Sequence, residues 1–373
     1  MNEGVQRLTW GRVAERPLAV KIASHYLQTA ANPKTIAAEV RYLPCLNALL
    51  ALDIDVAGGS RSKNHHWWPV GLQSYWSDRN GDVWWIDPDG RVGHKKSANR
   101  QIGYKIHGHT MLRGGVWETN FEREFDIDNQ VHNIIAYLRQ LKPLGNTLLE
   151  FVALLRLGLK RDRTLADLCK IHHINDQYSR DLLLLIYSLL IRSPSNRFKN
   201  ASFPSHFGLP VSDDAGKANV RQSYLLAKRA CQNGAMTNRF FVVLHSDWKR
   251  FICGDGYLDW LSSSLPSVRG RALIPLTPNL CIYVCTPMVM RKGRNCASLR
   301  AAPWMVDQIN EIVQIYSRDK LFFLGRKPQL TNEFSKRQFL EHADYSVDLL
   351  DMFDEIAEPK SKRSWNRFGS LSL

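Results

Sequence analysis

The sequence predicts an α+β fold: a helical N-terminal layer, a short strand-rich unit, central helices and a mixed C-terminal sheet. Three observations predict it. Apolar residues recur at three-to-four spacing in the first and middle thirds of the chain, which is the helical period. A tryptophan-rich stretch between turn residues has the texture of short strands. The last third sets short apolar runs around a helical pattern and closes on an acidic helical one.

Residues 18–29 and 33–52 carry the first helical patterns, the second opened by Asn32-Pro33, a cap followed by proline in the first turn. Ala57-Gly58-Gly59-Ser60 breaks the pattern and bounds a helical N-terminal extension, residues 1–60. An α+β core of residues 61–330 follows. Within it Asp82–Asp87 reads as a strand between Asp78-Arg79-Asn80-Gly81 and Pro88-Asp89-Gly90. Five of the eleven tryptophans fall between Trp67 and Trp85, which predicts an aromatic-rich face for this unit.

Helices are expected over 121–141, 146–159 and 177–191, with Leu148, Leu149, Val152, Leu155 and Leu159 as the buried stripe of the second. Residues 193–216 read as a long connection, ending at Ser212-Asp213-Asp214 before a helix over 218–231. Strands are predicted at 239–245, 250–253, 273–276, 280–285 and 320–324, with a helix over 304–315. The chain closes in residues 331–373, an acidic helix followed by a basic tail.

The charge balance is 50 Lys+Arg against 35 Asp+Glu, or +15. Residues 331–358 carry −6 and the tail +4, so the first 330 residues hold +17. Such an excess makes a polyanion, nucleic acid above all, the first partner to consider. The acidic segment is then a candidate internal competitor for the surface an anion would occupy. The longest apolar run, ten residues from Leu182 to Ile191, is half a membrane span and reads as a core helix, so no membrane partner is expected. Met1 to Arg16 lacks the apolar stretch of a secretory leader, and seven scattered cysteines without a CxxC pair fit reduced, buried thiols. A cytoplasmic location is expected. Cys281 and Cys285 could offer a zinc pair, but the strand around them favours core packing.

Two segments carry motifs. Lys63-Asn64-His65-His66-Trp67-Trp68-Pro69, with Tyr75-Trp76-Ser77-Asp78 and the strand Gly81–Asp87, resembles the N-terminal block of a widespread bacterial family of unknown function. Its members carry a His-His-aromatic-Val-Pro segment. Lys95-Lys96-Ser97-Ala98, Ile102 and Tyr104 resemble the family's next block, and Phe251–Tyr257 followed by Pro275-Leu276-Thr277-Pro278 resembles its Phe-Ile-Thr-Ser-Asp-x-Pro and Pro-Leu-Ser-Pro segments. The resemblance spans about residues 64–325 and departs at Cys253-Gly254 and Tyr257, which replace Thr-Ser and Pro around Asp255. It implies an architecture and no catalytic role.

From the residues themselves, His65 and His66 are the sharpest candidates for chemistry. Either could act as a general base toward a phosphodiester, with His66 a ligand for a divalent metal. His94, His107 or His109 could complete such a site. The pair also fits plain hydrogen bonding to backbone with packing on Trp67 and Trp68. Adjacent histidines open metal-dependent finger nucleases by analogy, although the expected asparagine and second histidine on a following helix are absent from the sequence. Asp255, between Gly254 and Gly256 at a strand end, is the second candidate metal ligand or base, with a turn-capping aspartate as the alternative. Glu118, Glu122, Glu124, Asp126 and Asp128 form an acidic cluster that fits a solvated helix start better than a metal site.

Three basic clusters could contact phosphate: Lys95, Lys96 and Arg100; Arg156, Lys160 and Arg161; and Arg291, Lys292 and Arg294. Nearby Tyr104 and the tryptophans could stack bases. Ordinary solvated faces remain the alternative. These features point to a protein acting on nucleic acid, expected to be a metal-dependent nuclease. A non-enzymatic module binding an anionic partner through its basic body is the competing expectation.

Overall fold

The structure, a computed structural model, describes residues 64–97, 101–113, 116–145, 147–158, 164–234, 238–261, 270–287, 293–338 and 348–358. All belong to the second of the two units into which the chain divides, Ala57–Leu373. The expected N-terminal helices, the basic tail, and Arg100, Lys160, Arg161, Arg291 and Lys292 lie outside the described residues.

Strand β1 (Asn64–His66) is followed by the single turn α1 (Val70–Gln73), β2 (Asp82–Ile86), β3 (Val92–Lys96), β4 (Tyr104–Ile106), β5 (Thr110–Arg113) and β6 (Val116–Asn120). The middle holds α2 (Val131–Gln140), α3 (Leu148–Gly158), β7 (Lys170–His172), α4 (Asp176–Arg192), α5 (Pro194–Ser202) and α6 (Asp213–Gln232). Strands β8 (Phe240–His245), β9 (Cys253–Gly254), β10 (Leu258–Asp259), β11 (Arg271–Thr277), β12 (Leu280–Cys285) and β13 (Cys296–Arg300) come next. Helix α7 (Pro303–Tyr316), β14 (Leu321–Phe323), α8 (Asn332–Ser335) and α9 (Asp348–Ala357) complete the described chain. The fold is α+β.

A six-stranded sheet in the order β10-β11-β12-β8-β13-β7 carries most of the core, with β8 and β13 parallel and every other pairing antiparallel. Strands β8, β11 and β12 are buried along nearly their whole length, which is why they read as continuous apolar runs rather than alternating ones. Cys281 and Cys285 lie buried in β12 as core residues, and all six described cysteines are free and buried. Burial raises the thiols of Cys169, Cys231 and Cys253 to about 12. These are inert packing groups.

The second sheet, β3-β2-β14-β9, joins the two motif-bearing segments. The Asp78 carboxylate accepts the N–H groups of Asn80 and Asp82 and the indole N–H of Trp84, so the predicted turn is held by its own aspartate. Trp68 and Trp76 are fully buried, Trp68 against Phe322 of β14 at 4.4 Å, while the Trp76 indole donates to the Leu276 carbonyl at 3.1 Å. The aromatic face therefore welds the N-terminal strands to both sheets.

The run Leu182–Ile191 is the buried heart of α4, capped by Asn175, whose side chain accepts the Tyr178 N–H at 2.9 Å. Among the described residues no helix is long and apolar enough to cross a membrane. Four expectations need correction. Residues 193–216 are not a plain connection, because Ser193 caps and Pro194 opens α5, the same cap-plus-proline device read upstream. Residues 122–130 form 3-10 turns before α2, and β13 goes unpredicted behind its basic loop. Leu148 and Leu149 are largely exposed on α3 rather than forming a buried stripe. The described part of the acidic segment contains two helices, α8 and α9, rather than one.

Helix α9 packs its apolar face (Leu349, Leu350, Phe353, Ile356) against β8, β12 and β13. Its Asp351 and Asp354 take the Arg271 guanidinium, and Asp354 also accepts the Tyr283 hydroxyl at 2.6 Å. Helix α9 is thus part of the core, with Asp351 and Asp354 engaged by Arg271 of β11 and Tyr283 of β12.

Candidate functional site

Strand β1 runs antiparallel to β4 with His65 opposite Lys105 and His66 opposite Tyr104. Alternation along the strand sends the two imidazoles to opposite faces. The His65 ring is buried, whereas the His66 ring is half-buried near Tyr104 at 6.1 Å. Beyond β4 the chain turns sharply through His107, at φ +52°, and Gly108, whose carbonyl accepts Arg197 Nη1 at 2.7 Å. This turn delivers His109. Its backbone N–H donates to His65 Nδ1 at 2.7 Å, and the two rings stack 5.5 Å apart within 3° of parallel.

Glu122 arrives on the turn after β6. One carboxylate oxygen accepts the His66 N–H at 3.2 Å, and the other meets His109 Nδ1. Potential ligand atoms of His65, His109 and Glu122 lie within 4.8 Å of one another, a group that could hold a metal ion. Burial lowers the His109 imidazole to about 4 against the opposing pull of Glu122, so the ring is neutral at pH 7. Burial works to raise the Glu122 carboxyl, but the hydrogen bond from His109 and the charge of Arg192 outweigh it and hold the group lowered. A neutral His109 therefore donates Nδ1–H to a carboxylate. Its Nε2 keeps the lone pair and takes no hydrogen bond from the described residues.

Beneath this group Arg192, at the end of α4, is wholly buried. Its guanidinium forks onto Asp128 at 2.7 and 2.9 Å, donates to the His66 carbonyl at 3.3 Å and lies over the Phe125 ring at 4.4 Å. Phe125 and Phe121 in turn pack on the His109 ring. The imidazoles are fixed from below by an ion pair and from the sides by aromatic rings.

His65 and His109 open onto a cleft of about 440 Å³. Its charged lining is uneven: Lys105, Arg192, Arg197, Lys217 and Arg318 against Asp213 and Asp319. Trp67, Tyr104 and Phe198 add aromatic surface, and the Arg318 guanidinium sits 3.6 Å over the Phe198 ring.

Asp255 reaches this cleft indirectly. It is 2% exposed, and both oxygens are spent on backbone, accepting the N–H groups of Arg318 at 2.7 Å and Asp319 at 3.0 Å. Burial raises its carboxyl to about 6, with the bond from Arg318 pulling the other way. The flanking glycines permit this approach: a Cβ on Gly254 would fall 1.7 Å from the Ser317 hydroxyl, and one on Gly256 1.9 Å from the Tyr316 carbonyl. Asp255 therefore shapes the 318–319 wall.

The two sequence candidates for a shared metal, His66 and Asp255, are not brought together in the ligand group. Strand alternation turns the His66 ring away, and backbone capping consumes the Asp255 carboxylate. His65 remains, joined by His109 and Glu122. Lys95 and Lys96 lie on β3, with Lys96 bound to Asp82 at 3.0 Å and to the Asn80 carbonyl. Arg156 is exposed on α3 and Arg294 in the loop before β13. None of these four lines the cleft. The cations that do come from β4, α4, α5, α6 and the turn after α7, scattered over more than 200 positions, so no local cluster announced them. The chain matches no family model, no curated protein and no solved structure.

Proposed function

We propose that this protein acts on nucleic acid in the cytoplasm as a divalent-metal-dependent nuclease, with His65, His109 and Glu122 holding the ion. One observation carries the reading: three potential ligands within 4.8 Å of one another, two of them opening onto a cation-lined cleft. Two imidazoles and a carboxylate are the donor chemistry of zinc, manganese and ferrous sites. The free, buried cysteines fit a reducing compartment.

A bound ion would supply Lewis-acid polarisation of a phosphoryl oxygen and a water of lowered pKa. The protein's own groups do the rest. Lys105, Arg197 and Arg318 hold the phosphodiester backbone, and the aromatic lining accepts a base. Asp128 and Arg192 keep β1, and with it His65, in place. Because His109 is neutral and Glu122 ionised at pH 7, the lone pair of His109 Nε2 and the carboxylate would be available to an ion without loss of a proton from either group.

Metal titration followed by calorimetry in buffers of different ionisation enthalpy tests the site. Uptake of one ion with a heat that varies little between the buffers, lost in His109→Ala and Glu122→Gln, is the expected result. Incubation with single- and double-stranded DNA and RNA plus Mg²⁺, Mn²⁺ or Zn²⁺ tests the activity, which His65→Ala should also abolish. The hydrogen bonds already made by His65 Nδ1 and by the His109–Glu122 pair favour a second reading, a binding module whose polar cluster is purely structural. Salt-sensitive nucleic-acid binding with neither metal uptake nor turnover would establish it in place of the enzyme.

A further inference from the structure

Asp213 stands at the start of α6 as the shared counter-ion of three cleft cations. Arg197 Nη2 meets both its oxygens at 2.8 and 3.1 Å, Lys217 lies at 3.0 Å and Lys105 at 3.4 Å. The exposures run in an unusual order. The Arg197 and Lys217 side chains are 12% and 6% exposed, whereas the carboxylate between them is 51% exposed. Buried cations with an exposed, replaceable anion make a permanent positive socket with a removable plug. Asp214, 3.4 Å from Lys217 and 52% exposed, is equally superficial.

The socket is rigid on its cationic side. Arg197 is pinned through Nη1 to the Gly108 carbonyl, and Ser212 caps α6 by accepting the Ala215 N–H at 3.1 Å. A guanidinium forked onto a carboxylate presents the same two parallel donors that a phosphate accepts. The α6 N-terminus adds backbone N–H groups favourable to an anion at the same place. Aromatic surface from Tyr104 and Phe198 lines the same cleft, whose volume of about 440 Å³ is that of a small-ligand pocket.

We propose that this cleft is a nucleotide pocket in which a phosphate displaces Asp213 from Lys105, Arg197 and Lys217 while its base lies against Tyr104 and Phe198. The substrate class is one nucleotide unit, either a single-stranded chain end or a free nucleotide. The choice of nucleotide rests on the nuclease reading; the anion socket rests on the charges alone.

The test uses the full chain in EDTA, so that it is independent of metal and turnover. Calorimetry compares adenosine 5′-monophosphate, adenosine and inorganic phosphate, and a 5′-phosphorylated six-nucleotide thymidine oligomer competes against the monophosphate. The monophosphate should bind at least about tenfold tighter than phosphate or adenosine alone. Asp213→Asn should tighten it by about tenfold through loss of the competing charge, and Phe198→Ala should weaken it while leaving phosphate binding unchanged. Lys105→Ala, a half-exposed position that folding tolerates, should weaken it by several-fold and serves if Asp213→Asn does not fold. Competition by the oligomer assigns the pocket to chain ends, and its failure to compete assigns it to free nucleotides. No binding of the monophosphate, equal binding of bare phosphate, or unchanged affinity in both Asp213→Asn and Lys105→Ala overturns the proposal. A chain that binds the monophosphate but never cleaves nucleic acid would sink the nuclease alone. One that cleaves yet ignores the monophosphate would sink the pocket alone.

Discussion

Two buried acid–base centres, His109 packed on the His65 strand and Asp255 in the second motif segment, are built in opposite ways. At His109 the backbone is satisfied elsewhere and the side chain is held by one carboxylate, leaving a ring nitrogen that keeps its lone pair beside a cleft. At Asp255 both side-chain oxygens are consumed by the N–H groups of Arg318 and Asp319. Both carry pKa values displaced by burial, so displacement alone does not separate chemistry from support. What separates them is where the remaining lone pairs go. His109 has one to offer; Asp255 spends its best-placed acceptors on a turn.

Four measurements would break or sharpen this contrast. The largest effect is expected at the shared foundation. Arg192→Ala leaves Asp128 without its partner beneath β1 and should cost about 3–5 kcal/mol in denaturant unfolding, enough to threaten folding. A loss under 1 kcal/mol would show that the cluster does not depend on this ion pair.

Next comes the His109 side of the contrast. His109→Ala should lower any metal-stimulated hydrolysis by about 10²–10⁴-fold while binding of adenosine 5′-monophosphate persists. Parallel loss of both would mark the residue as architecture rather than chemistry.

The Asp255 side shows itself in pH dependence. A carboxyl raised to about 6 in the folded chain, against an ordinary value near 3.9, keeps its proton better when folded than when unfolded. Its contribution to stability is full below pH ~3.9 and falls as pH rises toward 6, by up to about 3 kcal/mol. Asp255→Asn should flatten that window in pH-dependent unfolding. If this variant instead removed activity and left the unfolding profile unchanged, Asp255 would belong with the chemistry.

The smallest effect is expected at the surface. Lys96→Ala removes a half-exposed contact to Asp82 and should change stability by less than about 1 kcal/mol. A several-fold drop in nucleic-acid affinity from this change alone would move the binding face from the cleft to β3.

Much of the fold was legible. The Asp78 turn, the apolar run of α4, the buried strands β8 and β12 and the Ser212 cap each follow from local chemistry, since their causes lie within a few residues of the effect. Helix α5 was missed although Ser193-Pro194 is a cap-and-proline start, because the polar composition after it masked the signal. Strand β13 was not legible, because only its place between β8 and β7 makes a strand of that segment.

The candidate site divides along the same line. His65 and His66 stand out as a pair in the sequence, and so does Asp255 between its glycines. Which histidine faces inward is set by the register of β1 on β4, and a one-residue slip would exchange them. Glu122 reaches His109 through the β5–β6 hairpin, and Lys105, Arg197, Lys217 and Arg318 converge from separate elements. By itself the sequence determined the Asp78 turn, the buried runs of α4, β8 and β12, the net positive charge and several of the residues capable of chemistry. Only the tertiary structure decided which of those residues share a cleft and which are consumed as structural partners, because hydrogen bonds and charges act across space without regard to distance along the chain.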